Sequence, residues 1–379
     1  MVRRFYITET NVITPIGFDV ASNILNIESG ISAIELHDNS SLMQKPFYAA
    51  VIEDNKLNEA FAKISSNQNF TKLEKMMLLA LHPVVEHSKI TFDYRVAIIV
   101  STTKGNITAL EKQTQESIQK AHLHELAKTI ADFFGCKTEP IVISNACVSG
   151  VLAVSIAKRL IQSEAYDHVF VVAGDLVSEF VLAGFNSFQA MSDLPCKPYS
   201  KNRTGVTLGE AAAAVLVTSN ENNSRVEILG DGSINDANHI SGPSRTGEGL
   251  YLSIESAFNE ANVNANQIDY ISAHGTATPF NDEMEAIAFN RLGLENTPIN
   301  SMKGYYGHTL GASGLLETAI GIESLLQNKL FASLGYDESG VSQSIAVIEK
   351  NETKPIRYFL KTASGFGGCN TAVVFKKMH

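Results

Sequence analysis

Residues 140–160, PIVISNACVSGVLAVSIAKRL, place an apolar run, Ile141-Val142-Ile143, just before a cysteine, with an aliphatic segment of helical spacing after it. The run has the length of a buried strand, and the segment from Ser149 onward has the period of a helix. Cys147 therefore falls at a strand-to-helix junction, where two readings compete. A free cysteine is among the most buried residue types and usually packs as a small, inert hydrophobe. At a helix N-terminus, however, unpaired N–H groups and the helix dipole favour negative charge, which lowers a thiol's pKa and raises its thiolate fraction. Gly150 permits close backbone approach at this point.

The pattern around Cys147 repeats along the chain. Short apolar runs at 95–101, 168–174, 211–219, 268–275 and 370–377 read as strands, and 73–88 and 247–263 read as helices. Such alternation predicts an α/β protein with largely parallel sheets. An internal echo accompanies it: SGVLAVSIAKRLIQ begins at Ser149 and SGLLETAIGIESLL at Ser313. Each opens Ser-Gly and runs on as an amphipathic helix, as a duplicated α/β unit would.

With 379 residues, 44% hydrophobic and 18% charged, the chain can bury a large core. A net charge of −10 argues against a nucleic-acid partner. Cys136, Cys147, Cys196 and Cys369 form no CxxC pair and no zinc-type spacing, so no metal site is expected. The N-terminal stretch MVRRFYITETNVITPIG lacks an uninterrupted apolar core and a clear cleavage site. No segment reaches the roughly 18 consecutive apolar residues of a membrane span. The expected location is a reducing cytoplasm, in which lone cysteines stay as thiols.

Two histidines favour the nucleophile reading. SAHGTATPFND sets His274 at the end of a predicted strand, and KGYYGHTLGASG sets His308 between a glycine and a helix start. The remaining histidines read as structural or surface residues. The cluster SGFGGCN at 364–370 can present backbone N–H groups to an oxyanion. A zinc site is the competing use of cysteine and histidine, but no short-spaced ligand pair supports one.

These motifs resemble those of the β-ketoacyl-acyl-carrier-protein synthases of the elongating, Cys-His-His type, in the thiolase superfamily. The similarity runs from YITETNVITPIG through SNACVSG, AGFNSFQAMSD, KPYSKNRTGVTLGEAAA, AHGTATPFNDEME and KGYYGHTLGASG to GFGGCNTAVVF. It implies a five-layered αβαβα thiolase fold of two similar halves, residues 1–220 carrying the cysteine and 221–379 carrying both histidines. It also implies decarboxylative condensation of an acyl-Cys147 intermediate with a malonyl-carrier protein. Under the resemblance, His274 and His308 hold the malonyl thioester oxygen, and the backbone N–H groups of Cys147 and Phe366 form the oxyanion hole. Lys303, Glu317 and Glu285 organise charge, with Glu285 a possible partner of Lys303. Asn370 is structural, Thr276 and Thr278 bind the phosphopantetheine arm, and Phe185 walls the acyl pocket. No cofactor is implied. The expected partners are acyl carrier protein and a second subunit, in a homodimer or in a heterodimer with a related cysteine-less chain.

Four departures from the family pattern stand out. Ser364 replaces the first aromatic of the final glycine loop and leaves Phe366 as its gate. Phe188 and Gln189 replace a small residue and a carrier-docking arginine, which turns attention to Lys72 and Lys75 as docking residues, with a solvated helix face as the alternative. Lys104 stands where an aliphatic residue closes the far end of the acyl pocket. Burying an unpaired ammonium there is costly, so it either turns away or marks a shorter or more polar chain. These departures favour a specialised polyketide, polyene or pigment pathway. Rival readings are a non-catalytic chain-length-factor-like subunit, which usually lacks the nucleophile, and a thiolase. A thiolase uses another cysteine near its C-terminus, but Cys369 follows the Gly-Gly pair where elongating synthases commonly carry threonine, and it reads as a small substitution.

Overall fold

The structure, a computed structural model, describes residues 4–237 and 242–378. Its main elements are, in chain order, β1 (Tyr6–Ile13), α1 (Lys72–Ser88), β2 (Val96–Ser101), α2 (Leu123–Phe134), β3 (Ile141–Ile143), α3 (Ser149–Gln162), β4 (His168–Asp175), α4 (Glu179–Ser187) and β5 (Ala211–Thr218). There follow β6 (Val226–Asn235), α5 (Glu248–Ala261), β7 (Tyr270–Ser272), α6 (Pro279–Arg291), β8 (Pro298–Asn300), α7 (Lys303–Tyr306), α8 (Ser313–Gln327), β9 (Ala346–Val347), β10 (Tyr358–Gly365) and β11 (Cys369–Lys377). The strands form an 11-stranded sheet in the order β9-β8-β7-β10-β11-β6-β1-β5-β4-β2-β3.

This order contains one pattern twice. In the first half, β1, β5 and β4 pair antiparallel, then β4, β2 and β3 pair parallel. In the second half, β6, β11 and β10 pair antiparallel, then β10, β7 and β8 pair parallel. Each half is thus mixed, and the expectation of largely parallel sheets holds only for its outer strands. The halves join where Tyr6 and Ile7 of β1 pair with Glu227 and Val226 of β6.

Alternation of side chains across the strands sorts the core into layers. In β2, Ile98 and Val100 face α1 and α2, while Ile99 faces inward. In β10, Leu360 packs with Leu250 and Ile254 of α5 and Phe289 of α6, while Phe359 faces inward. Between the two inward faces lie α3 and α8, whose Val151, Val154, Leu315 and Ala319 share one core. Outer helices, sheet, paired helices, sheet and outer helices make the five layers. β2, β4 and β5 are covered on both faces and apolar at nearly every position, which is why they read as continuous hydrophobic runs.

The Ser-Gly echo explains the middle layer. A Cβ on Gly150 would lie 2.6 Å from the Leu315 amide nitrogen, and one on Gly314 would lie 2.6 Å from that of Val151. The two helices cross backbone to backbone at their matching glycines. As a result the β3–α3 junction with Cys147 and the β8–α8 segment with His308 occupy equivalent places in the two halves, facing one another.

Candidate active site

Cys147 sits on a strained elbow. Ala146 adopts φ of +44°, a left-handed conformation uncommon for a residue with a side chain. Ser149 secures the turn: its Oγ accepts from the Asn145 amide at 2.7 Å and donates to the Ala146 carbonyl at 2.6 Å. Burial pushes the Cys147 thiol up to about 12, and Cys369 adds to this against the lowering pull of Lys303 and Lys104. The depressed pKa expected at a helix N-terminus is therefore overturned by desolvation, and the resting group is a thiol. A proton acceptor is within reach, since His308 Nε2 lies 3.1 Å from Sγ.

His308 is held in place by its own amide, which donates to the Thr207 carbonyl at 2.6 Å. Burial and then the Lys303 charge hold its pKa well below the usual imidazole value, so the ring is neutral. Nδ1 lies 3.0 Å from Ser313 Oγ. A hydroxyl donates or accepts, so Ser313 supports either tautomer, leaving Nε2 free to take a proton or to give one.

His274 leaves the end of β7, and its ring lies 5.2 Å from that of His308, nearly perpendicular at 84°. Glu285 fixes the turn after it by accepting from the His274 amide at 2.9 Å and the Gly275 amide at 2.7 Å. Gly275, at φ of +40°, admits no side chain, because a Cβ would come within 2.5 Å of Ser301 Cβ. Lys303 Nζ lies 3.4 Å from His274 Nδ1, 2.5 Å from the His274 carbonyl and 2.7 Å from Glu317 Oε1. The carboxylate partner of Lys303 is thus Glu317; Glu285 shapes the backbone and accepts from Tyr199 Oη at 3.0 Å, which corrects the expected Glu285–Lys303 pair.

A cavity of about 460 Å³ opens onto Cys147, His274 and His308. Thr276 and Thr278 line it with hydroxyls 2.9 Å apart, and Phe185, Phe188 and Phe366 supply an aromatic wall. Phe366 lies 5.8 Å from Phe185 and 5.2 Å from Phe188, ring centre to ring centre. Gly365 lets the glycine loop close on Cys147, since a Cβ there would meet the Cys147 amide nitrogen at 3.0 Å. Asn370 braces that loop: it donates to the Gly368 carbonyl at 2.9 Å and accepts from Ser364 Oγ at 2.8 Å, a bond that accounts for the serine in place of an aromatic.

Three expectations need correction. Lys104 is exposed and does not line the cavity, so no ammonium is buried against an acyl chain here. Lys72 is turned inward, 2.8 Å from the buried Glu210 and 3.0 Å from Asp54. Lys75 is buried with its Nζ 2.6 Å from Asn58 Oδ1. Both ammonium groups are engaged within the chain, Lys72 by the buried Glu210 and the exposed Asp54 and Lys75 by the exposed Asn58, so neither stands free for a carrier protein.

Sequence reading missed Lys361 and Asp175. Asp175 is buried and ties the loop after β2 to the His308 loop, accepting from Thr103 N at 3.0 Å and Gly311 N at 2.9 Å. Burial pushes its carboxyl up to about 6, with hydrogen bonds from Thr103 and Thr102 pulling the other way. Spacing also missed that the fold gathers Cys147, His274 and His308, with ligand atoms all within 4.8 Å of one another, into a set able to hold a soft metal ion. Ligation would require loss of the thiol proton that burial retains.

The descriptions "Beta-ketoacyl synthase, N-terminal domain" and "Beta-ketoacyl synthase, C-terminal domain" match residues 7–223 and 226–337. The chain belongs to the β-ketoacyl synthase family. A 3-oxoacyl-[acyl-carrier-protein] synthase 2 of Vibrio harveyi is 27% identical, with 99% of each chain covered. A ketosynthase solved in complex with its chain length factor, from Xenorhabdus doucetiae, gives a TM-score of 0.86 at 24% identity, covering 99% of this chain and 98% of that one. The ishigamide ketosynthase/chain length factor gives 0.90 at 22% identity, with 100% of both covered. The synthase is thus a condensing acyltransferase of thiolase fold. Among the described residues no helix is long and apolar enough to cross a membrane.

Proposed function

We propose that the synthase catalyses decarboxylative Claisen condensation on acyl carrier protein, with Cys147 as the acyl carrier. The observation that carries this reading is one buried thiol 3.1 Å from a neutral imidazole, with a second imidazole beside it. In the first step His308 Nε2 takes the thiol proton while Sγ attacks the acyl thioester carbonyl. The tetrahedral oxyanion rests on the N–H groups of Cys147 and Phe366. Collapse expels the pantetheine thiolate, which recovers the proton and leaves acyl-Cys147. In the second step malonyl thioester loses CO2, and the bonding pair moves into an enolate whose oxygen accepts from Nε2–H of both histidines. The enolate carbon then attacks acyl-Cys147, forming the new C–C bond and releasing the Cys147 thiolate, which takes from solvent the one proton that the condensation consumes. Thr276 and Thr278 hydrogen-bond the pantetheine amides. No bound cofactor enters this scheme, because the departing carboxylate supplies the electron pair.

The 3.1 Å contact supports a part for His308 in both steps, in place of the expectation from sequence that His308→Ala impairs decarboxylation far more than acylation. His274→Ala is expected to lower malonyl decarboxylation by about 10²–10³ while leaving Cys147 acylation within about threefold; His308→Ala should lower both. Stopped-flow CO2 release and intact-mass acylation read the two steps, and equal losses in His274→Ala would remove its assigned role. The Phe185–Phe188–Phe366 wall favours an unsaturated or aryl-bearing acyl chain, as in a specialised pathway, through π contacts. Turnover on thioesters of matched length tests this, and preference for saturated chains contradicts it. The halves 1–220 and 221–379 are read as the two units. Edge strand β3 leaves an open ladder beside half-buried Ile141 and Ile143, which supports a homodimer through this edge. A chain-length-factor partner is the second reading, supported by the likeness to a ketosynthase of that assembly.

A further inference from the structure

Lys361 lies inside β10, on the strand leading to the oxyanion loop, and is completely buried. Its Nζ donates to the carbonyls of Thr362 at 2.6 Å and Ser272 at 3.1 Å. It also lies 2.7 Å from Glu317 Oε2, in an ion pair without hydrogen-bond alignment. The other oxygen of the same carboxylate, Oε1, is 2.7 Å from Lys303. Glu317 is therefore shared by two buried ammonium groups, one of them beside His274 Nδ1.

A buried ammonium in the middle of a strand carries a desolvation penalty of several kcal/mol, and an apolar residue of similar volume is often neutral or stabilising in its place. Desolvation is strong enough here to lower the Lys361 pKa even though Glu317 opposes it. Packing alone does not account for such a residue, but its position does. With Oε2 engaged by Lys361, Glu317 presents Oε1 to Lys303, which is thereby held against His274. An ammonium can only donate to Nδ1, so Nε2 of His274 must carry the ring proton. That tautomer is the one able to donate to an enolate oxygen.

We propose that Lys361 is a positioning residue for the decarboxylation step, acting through Glu317 and Lys303 to fix the Nε2–H tautomer of His274. The proposal rests on the condensing-enzyme reading above. In the full-length protein, Lys361→Met removes the charge at similar volume. Lys361→Gln, which keeps a polar donor without the charge, serves if the methionine variant fails to fold. Either variant is expected to release CO2 from malonyl-carrier protein about tenfold more slowly than wild type while acylating Cys147 at close to the wild-type rate. Lys361→Arg, which keeps the charge, should recover most of the lost rate. Equal losses in both half-reactions, no loss in either, or no recovery by arginine would overturn it. Absence of acylation or decarboxylation in the wild type would instead sink the condensing-enzyme reading itself.

Discussion

At Cys147 the position of one proton decides reactivity. A thiol pushed up to about 12 from its ordinary 9.0 is protonated throughout the neutral range, and the helix N-terminus does not outweigh that burial. The sign for stability follows: with the folded value above the unfolded one, this group's contribution is present below about pH 9 and is lost as pH rises towards 12. Its alkylation by iodoacetamide should therefore climb about tenfold per pH unit from pH 7 to 10, where an ordinary thiol would already be levelling off. A plateau near pH 9, followed by peptide mass spectrometry, would contradict the desolvated thiol. Cys147, His274, His308 and the glycine loop were legible in sequence because small residues flank each of them at a junction between elements. Lys361 was not, because a lysine within an apolar segment reads as solvated until a buried carboxylate is found for it. Lys72 and Lys75 failed in the same way: their helix face is covered, and a charge pattern does not reveal what covers it.

Among the elements, the crossing of α3 and α8 sets the distance between the two halves of the site. Cys147 precedes one helix and His308 the other, so any separation of the pair moves thiol and imidazole apart. Gly150→Ala places a methyl group 2.6 Å from the Leu315 nitrogen and 2.7 Å from the Gly311 carbonyl oxygen, both backbone atoms that cannot rotate away. The expected cost is about 1–3 kcal/mol in denaturant unfolding, with a loss of Cys147 acylation beyond what the stability change explains. Unchanged stability would mean that the helices are not in contact there. The runs at 95–101, 168–174 and 211–219 were readable as strands because both faces are buried. By contrast, β1, β6 and β10 carry Thr, Glu, Asp, Gly or Lys within the strand, so neither alternation nor a continuous apolar run marks them. The antiparallel pairings beside the join between the halves were equally hidden, since strand direction depends on partners remote in sequence.

Across the whole molecule, duplication accounts for the placement of the chemistry. Two copies of one strand order present matching helix starts to each other, and one copy carries Cys147 while the other carries the imidazole facing it. A buried ion cluster helps lock them: Lys158 of α3 lies 2.8 Å from Asp231 of β6 and 2.5 Å from Glu260 of α5, so the first half is pinned to the second away from the site. The Ser-Gly echo at 149 and 313 was the trace of this arrangement in the sequence. What it left open was which residue of the fold ends up opposite Cys147, because that depends on how the two units dock. The most direct test of the account is the intact mass of the full-length protein after incubation with acyl-carrier protein, for wild type and Cys147→Ala. One acyl adduct is expected on the wild type, lost on addition of malonyl-carrier protein as the chain is transferred, and none on the variant. No adduct across a broad acyl panel, or an adduct that survives Cys147→Ala, would contradict it.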